Sequence, residues 1–287
     1  MSTLNDARSP AGQNAVAPVL TPRPRRQLPS KGVAGVAVKV GLWVVVIVLA
    51  VLLWQAVVSI GNFKSFLLPG PAEVWKAGRQ FPGLIASNCW VTIYESLLGF
   101  VLAVAVGIAG AVVVVLIPPI KQIVVPGVVA LNALPKVALA PIIVVLLGLG
   151  VTSKISMAFL LAFFPVLINE IGGLEDVDDS LLEYLRLLQA SKLQTLVRAR
   201  LPSSLPALID GMKIALSLSV VGAIVGEFIA ANKGLGYEIT LAYSSLNTPL
   251  VFALVIVVSV AALVLYGLLV MFEKFLFWRF PSRRENT

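Results

Sequence analysis

Apolar runs long enough to cross a bilayer recur from Val40 to Phe272, separated by short polar joints. A hydrocarbon core of roughly 30 Å needs about 20 helical residues. Runs of that kind lie at 40–60, 91–117, 122–149, 153–172, 206–230 and 249–273. The stretch Trp43 to Trp54, WVVVIVLAVLLW, does not alternate apolar with polar residues, as a barrel strand facing lipid would. The pattern predicts an all-α polytopic membrane protein with about six transmembrane helices. Several runs carry breakers and polar groups. The third has Pro126, Pro135, Lys136 and Pro141, the fourth Pro165, Asn169 and Glu170, and the fifth Asp210, Lys213 and Glu227. Such residues are tolerated where they face protein or a wet cavity. A bundle with an interior pathway or a partner subunit is implied.

Polar segments flank the runs. Residues 1–38, rich in proline and arginine, read as a disordered tail, 39–278 as the membrane domain, and 279–287 as a second tail. The run from Val40 to Ile60 exceeds a signal-peptide core and reads as a retained span. With an even number of spans both termini share a side. Most of the lysines and arginines then fall on that side, which the positive-inside rule makes cytoplasmic.

Composition changes the picture in two ways. The formal charge of +8 accompanies only 13% charged residues, so it reads as a topology signal and predicts no nucleic-acid partner. Histidine is absent and Cys89 is the single cysteine, which argues against zinc, haem, disulfide and imidazole chemistry. No G-x-x-x-x-G-K-[ST] phosphate loop occurs. The expectation is a chain that binds no cofactor itself.

One cytoplasmic stretch stands apart: DSLLEYLRLLQASKLQTLVRARLPSSLP, residues 179–206. Ser180 with Glu183, and Ser191 with Gln194, fit capping boxes and predict short helices over 181–188 and 192–200. Leu181, Leu185 and Leu188 would share one face, and Leu193, Leu196 and Val197 another. Pro202 disfavours helix at Leu201 and is expected to end the unit. Its apolar ridge could rest on lipid or dock in a groove of a cytoplasmic partner.

The stretch resembles the EAA loop of bacterial ABC importer permeases, Glu-Ala-Ala-x-x-x-Gly followed at fixed spacing by Leu-Pro. Glu183 stands at the glutamate place and Leu201-Pro202 at the Leu-Pro place, while Tyr184 and Leu185 replace the alanines and Gln189 the glycine. "LLPGPAEVWKA", "LNALPKVALAPIIVVLLGLG", "FFPVLINEIGGL" and "VVGAIVGEFIAANKGLGYEI" are similar to the nitrate/sulfonate/taurine branch, which also includes pyrimidine-precursor and riboflavin permeases. The resemblance runs from about Leu67 to Trp278. It implies the type I ABC importer transmembrane-domain fold in a bacterial inner membrane. It also implies two ATP-binding subunits carrying the ATP, an extracytoplasmic solute-binding protein and a second permease subunit, here a homodimer. The coupling loop, 179–202, would act through Glu183, Leu185, Arg186, Gln189, Ala190, Ser191, Leu201 and Pro202. The solute would be a small nitrate-, sulfonate- or taurine-like anion, with a pyrimidine or other heterocyclic precursor as the alternative.

Asn132, Lys136 and Glu227 are the candidate residues of the translocation path, since a polar group at membrane depth must be paired or face a cavity. Glu95 is ambiguous. Gly222 with Gly226, and Ala103, Gly107 and Ala111, form small-residue ridges that let helices approach closely. Pro71 opens a short outer helix. Two rivals remain, an ATP-independent secondary transporter or channel and an integral-membrane enzyme. The first lacks a visible duplicated half and the second a convergent set of acid, base or metal ligands.

Overall fold

The computed structural model describes residues 33–279. Both expected tails lie mostly outside them. By contacts the chain divides into two units, 1–50 and 51–287. In the first, the described part is the leading stretch of helix α1, Val33–Gly61, which starts ahead of the predicted Val40.

Among its described residues the second unit continues α1 and adds ten helices. Pro71 opens α2, Pro71–Gln80, where its missing N–H is harmless. Helix α3, Pro82–Leu116, is followed by α4, Pro118–Asn132. After a break come a 3₁₀ turn at Lys136–Leu139 and α5, Ala140–Leu147. Helix α6 is Val151–Glu175, and α7, Asp179–Leu187, and α8, Lys192–Thr195, form the intervening pair. Helices α9, Leu201–Ala230, α10, Leu235–Ser244, and α11, Thr248–Arg279, complete the fold. Among the described residues five helices are long and apolar enough to cross a membrane, or six if α4 and the segment Lys136–Leu147 count as one broken span. That span is not the continuous helix its hydropathy suggests, for its halves meet at 88°. Pro135 both lacks a donor and pushes Leu134 out of the helical region, so the chain turns there.

The core forms where α3, α6 and α9 pack together. Phe100, Ala162, Val166, Ala215, Leu216 and Val220 are buried at its centre. Small residues set the separations. A Cβ on Gly222 would stand 2.6 Å from the Met157 carbonyl oxygen, and one on Gly107 2.8 Å from Val166. Ala103 and Ala111 are fully enclosed. The two ridges expected to pack helices therefore do so within the chain, where dispersion and close backbone approach replace a hydrophobic driving force. Near α1, Trp54 stacks on Phe252 of α11 with ring centroids 5.9 Å apart.

Candidate functional site

Two polar constructions stand out against this apolar frame. One is the helical pair α7–α8. The Asp178 carboxylate caps α7, accepting from the Ser180 backbone N–H at 2.9 Å and from Ser180 Oγ at 2.7 Å. This corrects the expected Ser180–Glu183 box: α7 begins two residues earlier, at Asp179 rather than 181, which places Glu183 two positions past the N3 site of a capping box. The second box is present. Ser191 N–H donates to Gln194 Oε1 at 2.8 Å, and Gln194 N–H donates to Ser191 Oγ at 3.2 Å.

Between the helices Gln189 has φ +54°. Gln189 N–H donates to the Arg186 carbonyl and Ala190 N–H to that of Leu185, at 2.9 and 3.0 Å. Those two bonds make a Schellman stop whose left-handed position glycine normally fills. Glutamine adopts the geometry and bears its steric cost, about 1 kcal/mol. Gln189→Gly is expected to raise the stability of the chain by up to about 1 kcal/mol. Gln189→Val should lower it, and thermal unfolding of the purified protein reads both.

Pro202 does not end the unit as predicted. A π turn over Leu196–Arg200 leads straight into α9, with Leu201 N–H donating to the Leu196 carbonyl. The wider turn absorbs the position at which proline has no donor, and Pro202 sits in the first turn of α9. Lys192–Ala230 thus runs as one long helical stretch. Leu196 leaves the predicted stripe as well: it is buried beside Leu174 and Phe164. Arg200 Nη1 donates to the Leu174 carbonyl at 2.7 Å, tying the π turn to the end of α6. Leu185 is half-buried, whereas Leu181, Tyr184, Leu188, Leu193 and Val197 are exposed and Leu187 is 81% exposed. The pair is held to the bundle on one side and bares apolar side chains on the other. Tyr184 and Leu187 were not in the predicted ridge, which followed Leu181, Leu185 and Leu188 along a neighbouring face of α7.

The second construction is a polar network inside the bundle. Glu227 is enclosed near the end of α9, where Thr92 Oγ1 donates to Oε1 at 2.7 Å and Gly236 N–H to Oε2 at 2.6 Å. Asn88 and Thr92, a turn apart on α3, accept from Gly234 N–H at 2.7 Å and Leu235 N–H at 2.8 Å. Gly234 has φ +110°, and a Cβ there would lie 2.2 Å from Glu227 Oε1. Glu227 thereby holds the α9–α10 connection through the Gly236 N–H in the first turn of α10, where a helix favours an anion. A few ångströms on, Lys154 Nζ lies 3.5 Å from Glu95 Oε1, both side chains almost wholly enclosed. They line a cavity of about 530 Å³ walled also by Trp90, Tyr94 and Lys233. Lys154 stands at the second position of the run 153–172, and neither it nor Thr92 is marked by any local pattern.

Of the candidate path residues, the structure joins two and separates the third. Lys136 Nζ bonds to Asn132 Oδ1 across the break and lies 4.6 Å over the Phe164 ring. Glu227 belongs to the α9–α10 network instead. A further ion-paired trio links α9 to α11, with Lys213 Nζ 3.2 Å from Asp210 and 2.9 Å from Glu273.

A proline-broken span, small-residue packing of three central helices and an exposed helical pair are the marks of a polytopic helical membrane protein. Residues 103–277 match the model of the family described as "binding-protein-dependent transport system inner membrane component", and the chain belongs to that family. It is 34% identical over 236 residues to the riboflavin transport system permease protein RibX of Chloroflexus aurantiacus, covering 81% of this chain and 87% of that one. It is 31% identical over 228 residues to the taurine transport system permease protein TauC of Escherichia coli, covering 76% and 82%. Its fold resembles a chain from inward-facing MetNI, a methionine ABC transporter, with a TM-score of 0.53 at 18% identity, over 66% of this chain and 98% of that one. The chain is an inner-membrane permease subunit of an ABC importer.

Proposed function

We propose that the α7–α8 pair of each permease copy seats one separate ATP-binding subunit, two in the assembled transporter, and that this chain carries no nucleotide or other cofactor of its own. The observation that supports this most is the two-sidedness of the pair. Leu196 and Arg200 fasten it to α6, while Leu187, Leu188, Leu193 and Val197 remain uncovered. A rigid handle with an apolar outer face suits a partner groove. The transport pathway forms between two copies of this chain, both termini lie in the cytoplasm, and a solute-binding protein delivers the solute from the other side. On α9 the side chains of Asp210, Ile214, Ser217, Val221 and Phe228 form an exposed stripe for the second copy and the path between them.

The solute is a small anion of the nitrate, sulfonate or taurine kind, a reading supported by the TauC relative and by Lys136 beside the helix break. A heterocyclic precursor is the second reading, favoured by the RibX relative and by the indole and phenol of Trp90 and Tyr94 on the cavity wall. Vesicles holding this chain with the ATPase and binding protein encoded beside it should accumulate solute only when ATP is supplied. Full uptake by the chain alone would overturn the proposal. In the same vesicles Lys136→Met is expected to slow uptake of an anionic solute about tenfold or more. An uncharged heterocycle should be unaffected.

A further inference from the structure

We propose that the phosphate of an anionic phospholipid binds where the helical pair meets the ends of the membrane helices. A cavity of about 390 Å³ opens there. One wall is the apolar end of α3 and start of α4: Val115, Leu116 and Pro118. The other presents Arg186 from α7, Lys192 from α8 and Arg200 from the π turn. No carboxylate is among the lining residues. Arg186 and Lys192 form no ion pair among the described residues, and Glu175 at the end of α6 is engaged by Lys121 at 2.6 Å. Arg200 spends one nitrogen on the Leu174 carbonyl, which holds its guanidinium in place with further donors to offer.

Three cations from three elements, converging without a counter-charge, call for a multivalent anion, and phosphate presents the oxygens that guanidinium and ammonium groups recognise. A free phosphate would leave the facing apolar wall in water. A lipid covers both: its phosphate meets the basic side while glycerol and the first acyl carbons lie along Val115, Leu116 and Pro118. Basic pockets beside membrane helices on the cytoplasmic side recognise anionic headgroups in this way. The bound lipid would bridge α7–α8 to α3 and α4. This inference needs only that the chain spans a membrane and is independent of any ATPase contact.

The full chain, purified from native membranes, is examined by native mass spectrometry with added phosphatidylglycerol or phosphatidylcholine. Wild type should retain phosphatidylglycerol preferentially. The double variant Arg186→Gln/Lys192→Gln should bind it about thirtyfold more weakly. Arg198→Gln, an exposed basic residue of the same segment outside the cavity, should leave retention unchanged. Equal retention by the double variant, or equal binding of phosphatidylcholine, would overturn the site. Displacement of the lipid by millimolar inorganic phosphate would reassign it to a soluble anion, and displacement by an added ATPase subunit would reassign it to an acidic protein surface. Either would overturn the lipid proposal.

Discussion

Leu188→Glu is expected to abolish co-purification with the ATPase subunit and all ATP-driven uptake while leaving the permease itself folded. Leu188 is 59% exposed at the end of α7, so the substitution removes little packing. A negative charge near that helix end costs only a few tenths of a kcal/mol. In the assembled transporter the same carboxylate would enter an apolar groove without a partner, at a cost of several kcal/mol. A weakening beyond a hundredfold follows. Leu185→Glu, the variant the sequence alone would recommend, is the poorer probe. Leu185 is half-buried, so its loss would mix damage to the fold with loss of docking. Leu188→Met should bind like wild type, and an undiminished complex with Leu188→Glu would mean that the ridge rests on lipid instead. Detergent pull-down and thermal unfolding of the same preparations separate the two effects.

What the sequence disclosed follows from the range of the interactions. The Pro71 start, the Ser191–Gln194 cap and the small-residue ridges depend on neighbours within a turn or two, and each appears where expected, whereas the third apolar run is broken at its proline. The hinge at Gln189 was legible to the extent that a glycine place filled by glutamine must bear a left-handed backbone or avoid it, and it bears one. The stop at Pro202 was misread because proline's local preference ignores the π turn that ends two residues earlier, at Arg200. The polar network was not legible, since Thr92 meets Glu227 across 135 positions and Lys154 meets Glu95 only after α3 and α6 pack. Lys154 stands at the very start of the run 153–172, where a lysine ordinarily reaches back to water rather than to a buried carboxylate.

That lysine carries the largest stability prediction. Lys154→Met would leave the Glu95 carboxylate enclosed with no cation in contact, and Lys154 also acts electrostatically on Glu227. Breaking a buried pair by removing one partner typically costs 3–5 kcal/mol, because the remaining charge keeps its desolvation penalty. The purified variant should therefore unfold at a markedly lower temperature or fail to accumulate. Glu95→Leu in the Lys154→Met background removes the orphaned charge and replaces the pair with apolar groups of similar volume. Stability should return to within about 1 kcal/mol of wild type. Glu227 remains bonded to Thr92 and Gly236 in the double variant, so the α9–α10 connection stays anchored. If the two losses simply add, the residues do not act as a pair and the 3.5 Å contact contributes nothing. If rescue is complete in stability but solute uptake stays low, the pair serves the cavity between Trp90 and Tyr94 as well as the fold, and its charges act on whatever passes there.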